Sequence, residues 1–246
     1  MGGRKGAVVV VALPSGALFH TQSPALARKK FTGSSIFKPL AAYLFLKERA
    51  VRPDQIYRSR KLVPVERYGV TLSAPYDAED KDIDLAHALS ESNNGYFYIF
   101  GQRLEMDAWL GAYREMGLGP CVRAPITQRE KAEFPAHGGP CVRTSTLDLV
   151  PYLKHLALDA SPEMATVRDA MRLAVEEGTG KPAAVAGVAV CGKTGWLNGA
   201  GRFLGFAPQA KPRVGVIVTL PGATGGDAAE VAGKILKAGL GVGSGP

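Results

Sequence analysis

The sequence predicts an α/β fold, an α+β sandwich in which strands from both ends of the chain share one central antiparallel sheet, with flanking helices and an all-helical lobe. Three observations predict it. A Val-rich segment and a turn open the chain between Gly6 and His20. Helix-period apolar spacing fills the middle, and Gly-punctuated apolar runs followed by a last helical pattern close it. Strands at the two ends enclosing a run of helices describe a layered α+β architecture rather than the βαβ alternation of a doubly wound sheet.

Taken in order, Gly6 to Leu13 reads as a buried strand, Pro14-Ser15-Gly16 as a turn and Ala17 to His20 as the returning strand. The apolar run Ala7 to Leu13 follows Arg4 and Lys5 like the core of a short signal peptide, yet no small-residue cleavage site follows. The hairpin is preferred, and any export address is expected upstream of this chain. A polar connector runs from Thr21 to Thr32. The apolar run Ile36 to Leu46 predicts a buried helix, and Pro39, tolerable only in a first turn, places its start near Ser34 or Ser35.

Residues 51–80 read as loops and small strands, such as Lys61 to Val65, ending in the acidic stretch Asp77 to Asp84. From Ile83 to Met116 the spacing predicts two or three helices with a Ser/Asn-rich break. Two more helices are expected over Thr144 to Leu158 and Ser161 to Glu177, the second opened by an N-cap Ser161 and a first-turn Pro162. Strands are expected over Ala184 to Cys191, Phe203 to Phe206 and Arg213 to Leu220, then a helix over Gly226 to Ala238 and a frayed tail, Gly239 to Pro246.

With 246 residues, 46% of them hydrophobic and 21% charged, the chain has the profile of a globular domain, which excludes collagen, coiled coil and disorder. It reads as a single domain over 1–246, with a sheet lobe from 1–34 and 182–246 and a helical lobe from 35–181. The net charge of +8 resides partly in two clusters, Arg28 to Lys30 and Arg58 to Lys61. Neither is interleaved with aromatics or set on a recognition helix, so a solvated surface or an anion-attracting field is expected and no nucleic-acid partner. Cys121, Cys141 and Cys191 lack metal-ligand spacing, so no metal site and no cofactor are expected. Buried free thiols are preferred to a Cys121–Cys141 disulfide.

Gly187 to Thr194 satisfies the phosphate-loop pattern G-x-x-x-x-G-K-[ST]. Its context fails, because the variable positions Val188 to Val190 are β-formers and the Gly-rich sequence after Thr194 cannot open a helix on a phosphate. Read as strand, Lys193-Thr194-Gly195 instead joins Ser35-Ile36-Phe37-Lys38 and Ser92-Asn93-Asn94. Each motif alone is ordinary; the order S-x-x-K, S-x-N, K-T-G is specific.

The physics of these residues is that of an activated serine. Ser35 needs a base, and Lys38 shares its helix face three residues on. To serve as that base Lys38 must be neutral, which burial, the positive helix end and the second cation Lys193 all favour. In these motifs the chain resembles the transpeptidase domain of penicillin-binding proteins, serine acyl-enzymes related to serine β-lactamases. The resemblance covers Gly33 to Pro39, Ala88 to Phe97, Gly192 to Gly195 and Phe203 to Pro208, together with the opening Val-rich hairpin.

It implies Ser35 as nucleophile, Lys38 as base, Ser92 as proton relay and Lys193 as a cation for the substrate's terminal carboxylate. Asn94 would hold the acyl-side peptide bond, Thr194 would meet the carboxylate, Gly195 would admit substrate backbone, and the Trp196 N–H would complete an oxyanion hole with that of Ser35. Two positions depart from the family: Ser34 replaces its usual Gly, and Trp196 a small hydroxyl residue, which leaves carboxylate recognition to Thr194. The partners implied are peptidoglycan stem peptides ending in D-Ala-D-Ala, and β-lactam antibiotics as covalent inhibitors. The site of action implied is the bacterial envelope, with membrane attachment only through an anchor outside this chain. A D,D-carboxypeptidase, a serine β-lactamase and a non-catalytic penicillin-binding sensor are the alternatives to a D,D-transpeptidase.

Overall fold

The structure, a computed structural model, describes residues 5–242; Arg4 and the end of the expected frayed tail lie outside the described residues. Strands β1 (Ala7–Ala12) and β2 (Leu18–Gln22) form the expected hairpin. The segment Thr21 to Thr32, expected as a polar connector, contains a short helix, α1 (Pro24–Arg28), and strand β3 (Phe31–Thr32). A 3₁₀ turn over Ser35–Phe37 then leads into α2 (Lys38–Lys47), so the α-helix starts later than Pro39 suggested and the tighter turn carries the serine. Next come β4 (Tyr57–Arg58), β5 (Leu62–Val65), β6 (Val70–Ser73) and β7 (Asp82–Ile83), paired in two small antiparallel sheets. The central helices are α3 (Leu85–Ser90), α4 (Asn94–Gly101) and α5 (Met106–Glu115), with Ile83 in β7 rather than in a helix.

Helix α6 (Gln128–His137) escaped the sequence reading, although Thr127 and Glu130 form a reciprocal capping box at its start. Its internal Pro135 breaks the expected pattern. Strand β8 (Arg143–Thr144) pairs with β3, and α7 (Val150–Leu158) begins well after Thr144 because Pro151 fits only its first turn. The pentapeptide Gly-Pro-Cys-Val-Arg also occurs twice, at 119–123 and 139–143; each Gly-Pro-Cys forms a 3₁₀ turn, and Val122 bridges Val142. Helix α8 (Pro162–Glu176) is followed by a loop, not a strand, over 184–190, where Gly187 takes a φ of 73° and Val185 bridges Val188. The strand starts where it was expected to end: β9 (Cys191–Leu197), β10 (Ala200–Ala207) and β11 (Val214–Pro221) precede α9 (Gly225–Gly239).

The central sheet is antiparallel in the order β2-β1-β11-β10-β9, so the two ends of the chain meet at the β1–β11 pairing, Val9 opposite Ile217. Both faces are covered. Val8, Phe203, Val216 and Val218 pack with Ala228, Ala232 and Leu236 of α9, while Val9, Val11, Leu204, Phe206 and Ile217 join the larger core of the helical region. This is why the strands read as continuous apolar runs rather than alternating ones. Helix α2 is buried from Lys38 through Phe45, as an apolar helix without a polar face must be. All three cysteines are unbridged. Among the described residues no helix is long and apolar enough to cross a membrane.

Tyr152 of α7 ties this buried helix to the rest. Its hydroxyl donates to the Ile36 carbonyl at 3.0 Å and accepts from the Leu40 N–H, one of the unpaired first-turn donors, at 3.2 Å. Tyr152→Phe strands both backbone groups in the core and is expected to lower stability by about 1–3 kcal/mol, read by urea unfolding. An unchanged midpoint and slope would show that these groups find other partners.

Candidate active site

The first motif is built on the change from 3₁₀ to α geometry. Ser34, extended at φ −150°, ends the approach from β3, and Ser35 opens the 3₁₀ turn, in which residues three apart eclipse one another. Ser35 and Lys38 are therefore stacked on one side of the turn. Ser35 is partly exposed in the cleft, whereas Lys38 is fully buried. The Lys38 Nζ donates to the Ser92 carbonyl, to Ser92 Oγ at 3.2 Å and to Asn94 Oδ1 at 2.7 Å, and lies 5.4 Å from the centre of the Phe97 ring. Burial pulls its pKa down to about 7, and the carboxylate of Asp77 acts in the opposite direction.

The second motif is a turn held under strain. Ser92 adopts a left-handed φ of 62°, a conformation that costs a non-glycine residue about 1–2 kcal/mol. Asn93 caps α4 by accepting from the Tyr96 N–H at 2.8 Å, and its amide donates to Ser59 Oγ at 2.8 Å. Asn94, the first residue of the helix, presents its side chain to Lys38.

The third motif lies on β9, the sheet's edge strand. Lys193 is fully buried, and its Nζ donates to its neighbour's carbonyl at 3.0 Å. Burial first and the charge of Lys38 second hold its pKa well below that of an ordinary lysine. Thr194 Oγ1 lies 2.6 Å from the hydroxyl of Thr179, and the Thr179 N–H donates to the Ser90 carbonyl at 3.1 Å, which links β9 to the end of α3. Gly195 is needed for a close approach: a Cβ there would lie 2.4 Å from Ser34 Oγ and 2.8 Å from Ile36. The glycine lets β9 press against the Ser34–Ile36 turn. Trp196 is 49% exposed at the rim.

Ser35, Ser92, Asn94, Thr194, Gly195 and Trp196 thus line one cleft of about 500 Å³, while Lys38 and Lys193 lie fully buried. The structure adds lining residues that sequence reasoning missed. In the sequence Asp77 is one more member of an acidic stretch, and Thr179 lies in a Gly-Thr-Gly after a helix. Tyr98 and His137 line it too, their Oη and Nε2 3.4 Å apart; burial, with the charge of Lys38, lowers the His137 pKa to about 4. The basic clusters take no part in the cleft: Lys30 pairs with Asp148, Arg58 with Asp80 and Asp82, and Lys61 with Glu79. Among the described residues no group of three or more His, Cys, Asp or Glu is placed to hold a metal.

The family model for the penicillin-binding protein transpeptidase domain matches residues 6–132 and 153–240. Solved structures with the same fold include the D,D-transpeptidase domain of a peptidoglycan glycosyltransferase from Eggerthella lenta. It shares 22% identity and a TM-score of 0.84 over 99% of this chain and 79% of that one. Pseudomonas aeruginosa PBP2 in complex with WCK 5153 shares 18% identity, TM-score 0.85, over 99% and 75% of the two chains. Mycobacterium tuberculosis penicillin-binding protein 3 complexed with aztreonam shares 17%, TM-score 0.81, over 99% and 75%. At these identities the likeness is one of fold. No curated protein matches the sequence.

The buried amine makes stability depend on pH. With a folded pKa near 7 and an unfolded one near 10.5, Lys38 binds fewer protons in the folded state between these values, so its contribution to stability rises with pH across that window. Relative to Lys38→Met, the wild type is expected to gain stability from pH 7 to 10, by at most about 1.4 kcal/mol per pH unit. Parallel pH dependences of the two proteins in denaturant titrations would place the Lys38 pKa in the ordinary range.

Proposed function

The chain belongs to the penicillin-binding protein transpeptidase domain family, and from that membership we propose that it is a serine D,D-transpeptidase acting on peptidoglycan stem peptides that end in D-Ala-D-Ala. The observation that carries this reading is the buried Lys38 amine, stacked one turn from Ser35 and hydrogen-bonded to both Ser92 and Asn94.

A lysine poised near neutrality can take the Ser35 hydroxyl proton as Oγ attacks the carbonyl of the penultimate D-Ala. The C–N bond to the terminal D-Ala then breaks, its nitrogen receives a proton relayed through Ser92, and the peptide stays on Ser35 as an ester. The amine of a second stem attacks that ester, gives its proton back through Ser92 and Lys38, and leaves with the acyl group, which forms the cross-link. The oxyanion of each tetrahedral intermediate is assigned to the backbone N–H groups of Ser35 and Trp196. Asn94 is assigned to the acyl-side amide, and Thr194, with the Lys193 amine behind it ready to take a proton opposite the carboxylate, to the substrate carboxylate. Gly195 lets the edge of β9 lie close enough for the substrate backbone to run beside it.

The organisation that suits this chemistry is one domain, with Lys193 to Trp196 supplied by the sheet lobe of 1–34 and 182–246, and Ser35, Lys38, Ser92 and Asn94 by the helical lobe of 35–181. Penicillin, as an acylating mimic of the substrate, would react at Ser35. The reaction belongs to the cell envelope, where peptidoglycan is built.

A fluorescent penicillin is expected to label the wild type covalently and to leave Ser35→Ala dark, with Lys38→Ala slower by about 10²-fold or more. An unlabelled wild type overturns the acyl-enzyme reading. Rapid nitrocefin turnover in place of a lasting adduct would mark a β-lactamase, and release of terminal D-Ala without cross-linked product a carboxypeptidase.

A further inference from the structure

Asp77 stands in the cleft, yet no motif includes it. Its side chain is nearly fully buried, 6% exposed, and each oxygen takes one backbone N–H from the start of α4: Asn94 to Oδ1 at 3.0 Å and Gly95 to Oδ2 at 2.7 Å. Burial pushes the Asp77 carboxyl above its ordinary range, and these two first-turn donors, with the charge of Lys38, oppose it by favouring the negative form. Asn94 is at the same time the residue whose Oδ1 accepts from Lys38. The carboxylate and the amine are therefore joined through a single residue, by its backbone on one side and its side chain on the other.

The surrounding segment closes on the same turn. Ser59 accepts from the Asn93 amide, and its own N–H donates to the Lys81 carbonyl at 2.8 Å. The Tyr57 ring lies so close over Gly95 that a Cβ there would be 2.6 Å from its hydroxyl. Residues 57–81 thus clamp residues 92–95, and the clamped turn is the one in which Ser92 is held at a φ of 62°.

We propose that Asp77 is a positioning residue of the active site, which seats the Ser92–Asn94 turn on Lys38 and places a negative charge behind that turn. The role rests on the acyl-enzyme reading given above. Groups facing Lys38 are Ser92 and Asn94 from the turn, Phe97 from α4, His137 from α6, Lys193 from β9 and Asp77 itself. Of these Asp77 is the acid. Its charge favours the ammonium form and opposes the burial that lowers the lysine's pKa. Removing the charge should therefore move deprotonation of Lys38 to lower pH, while removing the seat should slow acylation at every pH.

The test is the rate of acylation by fluorescent penicillin between about pH 5 and 10, on the full chain. For D77N the plateau is expected to fall about tenfold, since small misplacements of catalytic groups have effects of that size or more. The rising limb is expected to move to lower pH by about half a unit or more. Asp80→Asn removes an equal charge from an exposed side chain of the same segment and should change neither quantity. Ser59→Ala loosens the clamp without changing charge and should lower the plateau while leaving the limb in place.

A D77N limb coincident with the wild type's overturns the proposal, as does an undiminished plateau. If D77N does not accumulate as folded protein, Asp77→Glu keeps the charge but displaces it from the two N–H groups. A lower plateau with an unmoved limb then supports the proposal, and an unchanged plateau overturns it. A wild type that penicillin does not label would instead remove the acyl-enzyme reading itself.

Discussion

Burying one amine organises this molecule. A lysine ammonium taken wholly out of water must either find partners or give up its proton, and Lys38 does some of both: three oxygens receive its hydrogens, and burial brings its pKa to about 7. Helix α2 can bring the amine there because it is apolar on every side and is enclosed by α4, α5, α6 and α8. The 3₁₀ turn at its start keeps Ser35 at the surface of the cleft while the next residues plunge inward. An ordinary α-helical entry would not eclipse positions 35 and 38 so closely.

The amine's partners come from elsewhere in the chain and have to be brought to it against their own local preferences. Ser92 is strained, Asn93 is anchored to Ser59, and the N–H groups that follow are seated on Asp77. Strain of this kind persists only where the surroundings over-determine it. On the opposite wall β9 is an edge strand, pressed against the Ser34–Ile36 turn because Gly195 has no side chain and tied to the end of α3 through Thr179. Gly178 is constrained in the same way, since a Cβ there would lie 2.4 Å from the Ser90 carbonyl oxygen. Two glycines and two threonines thus set the width of the cleft.

Where reading the sequence succeeded, the signal was local and chemical. The Val-rich hairpin, α3 to α5, α8 and α9 all announce themselves through periodicity, caps and glycine punctuation. Where it failed, tertiary packing outweighed the local signal. Val185 to Val190 have the composition of a strand but lie in a loop, because the hydrogen-bonding partner β10 is in register with Cys191 to Leu197. The polar helix α6, whose exposed surface carries its charges, lacks a long apolar stripe and is interrupted by Pro135. Asp77 was invisible for a related reason: in a run of acids, nothing local tells the one that will be buried from those that stay in water.

By itself the sequence determined the chemistry on offer. Ser35, Lys38, Ser92, Asn94 and Lys193 to Gly195 stand out because the proposed activated serine needs those residue types, and because their order along the chain is hard to obtain by accident. Their environment was decided only by the tertiary structure: that both lysines are buried, that burial lowers the Lys38 pKa while Asp77 opposes it, and that Gly195 serves the packing of β9 on the Ser34–Ile36 turn. A residue type fixes which protons and lone pairs exist, whereas solvation and distance fix their energies. Those depend on the neighbours that folding brings from distant parts of the chain.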